Sequence, residues 1–403
     1  MKVGWIVENA SPFVYEEVAA LRARGVQVSV ASVFRPLGDE DWSEAFGSAV
    51  YYPVRGKGKW LLRALRNAAE KPTAIARVAA RARRENAPYR LVALAAEIAK
   101  RARREQWSHV HGTFATFPAW VAWAVGELLE IPFSLTGHAY DVQEPRPWLP
   151  RILADCAFAR AISSETGSRM MRLAETPRSR AKVRVAHLGV DTDRFAPSGE
   201  RRRRGIPRVL CVARHVPEKG IADLLEATQR LVAGGASLRV ELVGEGPLTP
   251  QLRRRARELG LLGSHVVFRG RCDRDRVRRA LARATLFALP CSAGGGIDHD
   301  GLPVAILEAM ACGLPIVTTA VGGISDAIVD GVNGCFVNPD DPVGLAAAIR
   351  GLLEDSARRE RLGRGARATA LQRFSARAAA RRLDVLLSEP TAGSGIAAST
   401  GAR

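Results

Sequence analysis

Short apolar runs alternate with amphipathic stretches along nearly the whole chain, and this alternation sets the architecture. Val3–Val7, Val26–Ser32, His109–Gly112, Phe133–Thr136 and Phe158–Ser163 read as strands, with helical periodicity around 13–24, 61–70, 77–105, 117–129 and 165–175. Strands separated by helices predict parallel pairing through crossovers, a doubly wound α/β domain. The pattern stops at 186–208, AHLGVDTDRFAPSGERRRRGIPR, where Gly, Pro, Asp and a basic run replace any period. It then restarts with strands at Val209–Ala213, Leu238–Val243, Val266–Arg269, Leu286–Pro290 and Ile316–Thr319, and helices at 218–233, 247–260, 273–283 and 303–312. The predicted organisation is one Rossmann-like domain over 1–190, a linker over 191–207, a second over 208–374, a helix over 375–388 and a disordered tail over 389–403.

Composition agrees with two soluble domains: 403 residues, 47% apolar and 25% charged, with no run approaching the ~20 apolar residues of a membrane span. The N-terminus, MKVGWIVENASPFVYEE, meets polar residues too early for a signal peptide and reads as a first strand, so the protein is expected in the cytoplasm. Six cysteines lie scattered with no Cys-x-x-Cys spacing, which points to buried thiols and away from disulfides or zinc.

The net charge of +19 changes the picture more. The excess is spread through helices such as 77–105 and 365–382, without the aromatic strand motif or finger spacing of a nucleic-acid binder. Nucleic acid, an anionic membrane surface and an Arg-rich composition are the three readings, and the latter two account for most of it, with no nucleic-acid partner expected. In KGKWLLRALRNAAEK (57–71), Trp60, Leu61, Leu62, Ala64, Leu65 and Ala68 share a broad face flanked by Lys57, Lys59, Arg63, Arg66 and Lys71. Such a helix suits a lipid interface, and equally a surface helix packed on its own domain.

In doubly wound sheets ligands bind at the carboxyl ends of the strands. After LCVA comes RHVPEKG, placing Arg214 and Lys219 beside the next helix N-terminus, a good anion site. HVVFRG ends in Gly270, with Arg271 behind it, where a flat base could stack on exposed backbone, while the glycines of VGEGPLTPQL (243–252) read as mainly structural. After TLFALP the loop CSAGGGIDHDGLP runs to a helix starting near Pro303; Gly294–Gly296 let backbone approach a ligand. Asp300 stays in that loop and Glu308 lies roughly 7–8 Å along the helix at 1.5 Å per residue. The carboxylates flank a helix N-terminus, which favours a phosphate. Ile306, Leu307, Ala309 and Met310 leave Glu308 little room for a solvated face. Hydroxyls at two places with phosphate between them describe a sugar nucleotide: Glu308 can accept from the ribose, Asp300 from the sugar, with Arg214, Lys219 and helix amides on the diphosphate. In FSLTGHAYDV (133–142), His138 and Asp141 follow a strand, in a structural or a functional role.

Together these pieces resemble the retaining glycosyltransferases of family 4, which have the GT-B fold. The resemblance rests on HVHGTFATFPAWVAW (109–123), IPFSLTGHAYDV (131–142), HLGVDTDRF (187–195), LCVARHVPEKG (210–220), VELVGEGPL (240–248) and DGLPVAILEAMACGLPIVTTAVGG (300–323). It implies that Arg214 and Lys219 bind the donor diphosphate, that Glu308 binds the ribose, and that Asp300 binds the sugar beside the Gly301, Leu302 and Pro303 backbone. His138 would lie against the reacting sugar, no metal or other cofactor would be needed, and the helix over 375–388 would cross back to the first domain. Asp300 stands where many members have Glu, ENASPFVYEE (8–17) lacks a double glycine common near the acceptor, and HGTFA leaves His111 alone where His-x-His is more usual. The expected activity is sugar transfer from a nucleotide diphosphate-sugar to a glycan or lipid-linked acceptor, at the inner face of the plasma membrane. A same-fold sugar-nucleotide epimerase, or a non-catalytic sugar-nucleotide or lipid-binding protein, is the alternative.

Overall fold

Seven parallel strands make the first sheet, in the order β3-β2-β1-β4-β5-β6-β7: Lys2–Val7 (β1), Gln27–Ser32 (β2), Val50–Tyr51 (β3), His109–Thr113 (β4), Phe133–Gly137 (β5), Ala159–Ala161 (β6) and Val183–Val185 (β7). The computed structural model describes residues 1–8, 12–34, 50–51, 72–198, 205–292 and 301–389. The helix predicted at 61–70, with Lys57, Lys59 and Arg63, lies outside them, as do Gly294–Gly296, Asp300 and most of the tail. β1 pairs with both β2 and β4, Val3 opposite Val28 and His109, and its Val3, Trp5, Ile6 and Val7 are fully buried. Burial on both faces is why such strands read as nearly continuous apolar runs.

The helices of this unit are Pro12–Arg22 (α1), Pro72–Arg84 (α2), Tyr89–Glu105 (α3), Phe117–Leu129 (α4), Ala139–Gln143 (α5), Leu149–Asp155 (α6), Ser164–Leu173 (α7) and Pro177–Arg180 (α8). The single helix predicted over 77–105 is two, because Asn86 turns to φ 54° and Pro88 cannot continue a helix from Ala87. Trp120, Trp123, Leu94 and Ile98 fill the core between α3 and α4.

Six parallel strands make the second sheet, in the order β10-β9-β8-β11-β12-β13: Arg208–Val212 (β8), Arg239–Val243 (β9), Val266–Gly270 (β10), Leu286–Leu289 (β11), Ile316–Thr319 (β12) and Gly334–Val337 (β13). Its helices are Ile221–Ala233 (α9), Thr249–Glu258 (α10), Arg274–Arg283 (α11), Val304–Ala311 (α12), Pro342–Glu354 (α13) and Ser356–Arg373 (α14), with a 3-10 turn at Pro217–Lys219. Ala376–Ser388 (α15) ends the described chain, and its Ala380, Leu383 and Leu387 belong to one buried cluster with Val3, Trp5 and Val18. Arg24 also pairs with Asp384 at 2.8 Å.

The two compact units are Met1–Ala186 with the chain from Ala380, and His187–Ala379. The first change of unit therefore comes before residue 191. Val190 and Phe195 are fully buried in the second core, the Val190 N–H donates to Phe374 O at 2.8 Å, and the Arg367 guanidinium donates to the carbonyls of Thr192 and Phe195. The first residues of the expected linker are thus packed structure. No described helix is long and apolar enough to cross a membrane. All six cysteines are free thiols, and five of them are buried.

Candidate functional site

In the second unit, loops after neighbouring strands converge. The segment after β8 carries Arg214, exposed and within 3.5 Å of Glu218, and Lys219, which is only 4% exposed. Burial lowers the Lys219 pKa, since an ammonium loses its water there. Gly220 closes the loop at φ 60°, where an added Cβ would lie 1.8 Å from Pro290 O, and the Ser292 N–H donates to Glu218 O at 3.1 Å. The ends of β8 and β11 are therefore fastened together. Gly244, at φ 125°, approaches Ala213 so closely that a Cβ would sit 1.9 Å from its carbonyl oxygen, which explains the glycine after β9 by space alone.

The same packing brings in a residue that the sequence did not single out. His215 is buried, bonds Thr249 Oγ1 through Nδ1 at 2.8 Å, and has no partner for Nε2 among the described residues. Burial also lowers its pKa. Gly270 ends β10 at φ 69° and accepts from Gly244 N at 2.9 Å, followed by exposed Arg271.

Gly301, Leu302 and Pro303 are buried and lead into α12, with Pro303 as its N-cap. The positions of α12 that are not fully buried are Val304, Ala305 and Glu308, which share one stripe by their spacing. Glu308 is thus only partly exposed, on a stripe separate from the fully buried Ile306, Leu307, Ala309 and Met310. Asp300 falls outside the described residues.

In the first unit, β5 ends in the turn that holds His138. Its ring stacks on Phe114 with centroids 4.3 Å apart and lies 5.5 Å from Phe13. Phe114 sits at φ 82°, a costly conformation for a bulky residue, held by its N–H to Thr136 O at 3.0 Å. Asp141 joins both turns, accepting from the N–H of Ala115 and from that of His138 at 2.7 Å. The His138 side chain accepts in return from the Asp141 N–H, which places the imidazole proton on Nε2. Nε2 is buried with no partner among the described residues. Burial first, and then the charge of Arg160, push the His138 pKa down to about 3, so the ring is neutral at physiological pH.

Nor is His111 alone. It bonds Ser134 and Thr136 at 2.7 and 2.8 Å, and His109 bonds the same Ser134 hydroxyl at 2.7 Å. Both rings are structural, buried and held neutral.

Burial raises the Asp141 pKa to about 8, against the opposing backbone hydrogen bonds. The folded state then keeps a proton that the unfolded chain releases above about pH 4. Stability from this group is present at low pH and is lost as pH rises towards 8. Asp141→Asn should remove that slope: the urea midpoint of the variant, relative to wild type, rises between pH 5 and 8, whereas a constant difference would contradict the assignment.

Among the described residues no three His, Cys, Asp or Glu side chains cluster to hold a metal ion. Residues 10–194 match the family model described as Glycosyltransferase Family 4, and residues 206–355 match Glycosyl transferases group 1. The chain thus carries a Glycosyltransferase Family 4 domain followed by a Glycosyl transferases group 1 domain, which together span most of its length. A similar protein is the GDP-mannose-dependent alpha-(1-6)-phosphatidylinositol monomannoside mannosyltransferase of Mycolicibacterium smegmatis, 37% identical over 51% of this chain and 56% of that one. Glycogen synthase of Mycobacterium tuberculosis is 33% identical over 46% and 44%. The chain thus spans about half the length of the curated relatives it matches. The fold is GT-B: the crystal structure of Anabaena HepE with UDP aligns at TM-score 0.75 and 18% identity, over 97% of this chain and all of that one.

Proposed function

We propose that this family 4 glycosyltransferase moves a sugar from a nucleotide diphosphate donor to a hydroxyl of a glycan or lipid-linked acceptor, with retention and without a metal ion. One observation carries the reading. A buried lysine and an exposed arginine stand in the segment after β8, and the partly exposed Glu308 stands on the helix that follows the adjacent β11. Cations suit a diphosphate and the carboxylate suits ribose hydroxyls. Burial disfavours the charged form of Lys219, and an anion bound beside it favours that form.

In the reaction the bond between the anomeric carbon and the diphosphate oxygen breaks, and its electron pair leaves with the diphosphate. Arg214, Lys219 and the amides of α12 stabilise that growing charge. The acceptor oxygen forms the new bond on the same face, and its proton passes to the departing phosphate. His138, neutral with its proton on Nε2, donates to a sugar oxygen and need not act as nucleophile. Asp300 contacts the sugar, and Gly270 and Arg271 the base.

The mannosyltransferase relatives make GDP-mannose the first donor to try, alongside UDP- and ADP-sugars. A donor should raise the melting temperature in a thermal-shift panel run in EDTA; no shift with any of them would sink the donor site. Peripheral attachment to an anionic membrane belongs to the same reading. It predicts pelleting with phosphatidic acid vesicles that weakens as salt rises, and salt-independent or absent pelleting would reject it.

A further inference from the structure

A second cationic site lies apart from Arg214 and Lys219, between α11 and the outer strands of the second sheet. On β9, Val240 and Leu242 face the core, so Glu241 faces the opposite side, where its register neighbours are Leu210 and Val267. An apolar residue would satisfy that place; a carboxylate there needs partners. Arg208 and Arg269 supply them, at 2.6 and 3.2 Å. Burial pushes the Glu241 carboxyl up, and the hydrogen bonds from the two guanidinium groups more than reverse this. The pair of arginines is thereby fixed in place.

Opposite them, Arg276, Arg279 and Arg283 recur along α11 at spacings of three and four, which puts them on one stripe. The stripe and the strand arginines line one cavity of about 290 Å³. Five guanidinium groups and the Glu241 carboxylate line its wall, and Arg276 also pairs with Asp273 at 3.5 Å, so the lining is predominantly cationic. Like charges gathered along one helix face and one cavity repel each other unless an anion lies among them. Planar guanidinium forks match phosphate oxygens in pairs.

We propose that this cavity is a second anion site, which binds a phosphate group on a ligand other than the sugar donor. The phosphate can be carried by a soluble phosphorylated metabolite or by a lipid headgroup; the recognition chemistry is the same. Arg208 and Arg269, braced by Glu241, form the fixed wall, and the α11 stripe forms the adjustable one.

The test uses the full chain, with inorganic phosphate and phosphatidic acid vesicles as probes. The variants are Arg276→Ala/Arg279→Ala, the donor-loop variant Arg214→Ala, and Arg103→Ala/Arg104→Ala as a control that removes two exposed arginines from α3. Calorimetric titration with phosphate should show binding in wild type, Arg214→Ala and the control, weakened at least tenfold in Arg276→Ala/Arg279→Ala with an unchanged melting temperature. If free phosphate does not bind but vesicle pelleting is lost in Arg276→Ala/Arg279→Ala alone, the proposal stands with a lipid as the source. Binding of neither probe by wild type, equal losses in the control, or loss on Arg214→Ala alone would overturn it. Should the double variant prove unstable, Arg276→Lys/Arg279→Lys keeps the charge without the fork, and undiminished phosphate binding there would count against paired guanidinium recognition.

Discussion

Replacing Glu308 with alanine is expected to weaken binding of the nucleotide diphosphate donor about a hundredfold, with little change in melting temperature. The residue lies on the half-buried stripe of α12, whereas Ile306, Leu307, Ala309 and Met310 hold the helix in the core. Its removal opens no core cavity. A hydrogen bond to a charged group contributes roughly 1.5–3 kcal/mol, so two ribose hydroxyls released together cost about 3 kcal/mol or more. That corresponds to on the order of a hundredfold in affinity. Glu308→Gln, which keeps one carbonyl acceptor but no charge, should fall between. Titration with nucleoside diphosphate reads the difference, and an unchanged dissociation constant would remove the ribose assignment.

His138→Ala is expected to lower the turnover number about a hundredfold and leave donor affinity nearly unchanged. The imidazole presents a neutral Nε2–H from a buried position braced by Phe114 and Asp141. A fixed donor is worth most where charge develops in the transition state, and the loss of one such donor typically costs ~10²–10³ in rate. The pH profile separates this from catalysis by an imidazolium. With a pKa near 3, His138 does not titrate between pH 5 and 8, so kcat should show no limb near pH 6.5 that disappears in the variant. Equal losses in kcat and donor affinity would instead mark a binding role.

Much of the architecture was legible because strands buried on both faces leave a plain mark. β1, β8 and β11 are nearly uninterrupted apolar runs, while β4 and β5 are read from Val110, Phe133 and Leu135 set among His, Ser and Thr, and the element order follows from them. β7 was not legible: Arg184 and Val185 are exposed, so this edge strand lacks the apolar run. β13, opening on a glycine and half-open at Phe336 and Val337, escaped for the same reason. Glu308 was found from its neighbours, but its open stripe required knowing which side of α12 faces the sheet.

Other parts of the candidate site were invisible for different reasons. Nothing in HGTFA announces a phenylalanine at positive φ, and nothing in HAYDV says that Asp141 reaches back to Ala115. Both depend on two strand ends that are neighbours only in the sheet. The arginines around Glu241 dissolved into a basic composition, since β8, β9, β10 and α11 bring them together from segments separated by tens of residues.

Sugar transfer from a nucleotide diphosphate donor is the activity on which every site assignment depends. It is tested most directly by incubating wild type, Glu308→Ala and His138→Ala with GDP-mannose and a panel of UDP- and ADP-sugars in EDTA, with a lipid-linked or glycan acceptor, and measuring released nucleoside diphosphate. Wild type should release nucleoside diphosphate from at least one donor, with the anomeric configuration kept in the product, and each variant should lose about a hundredfold or more. No release from any donor by wild type, or release undiminished in both variants, would contradict it.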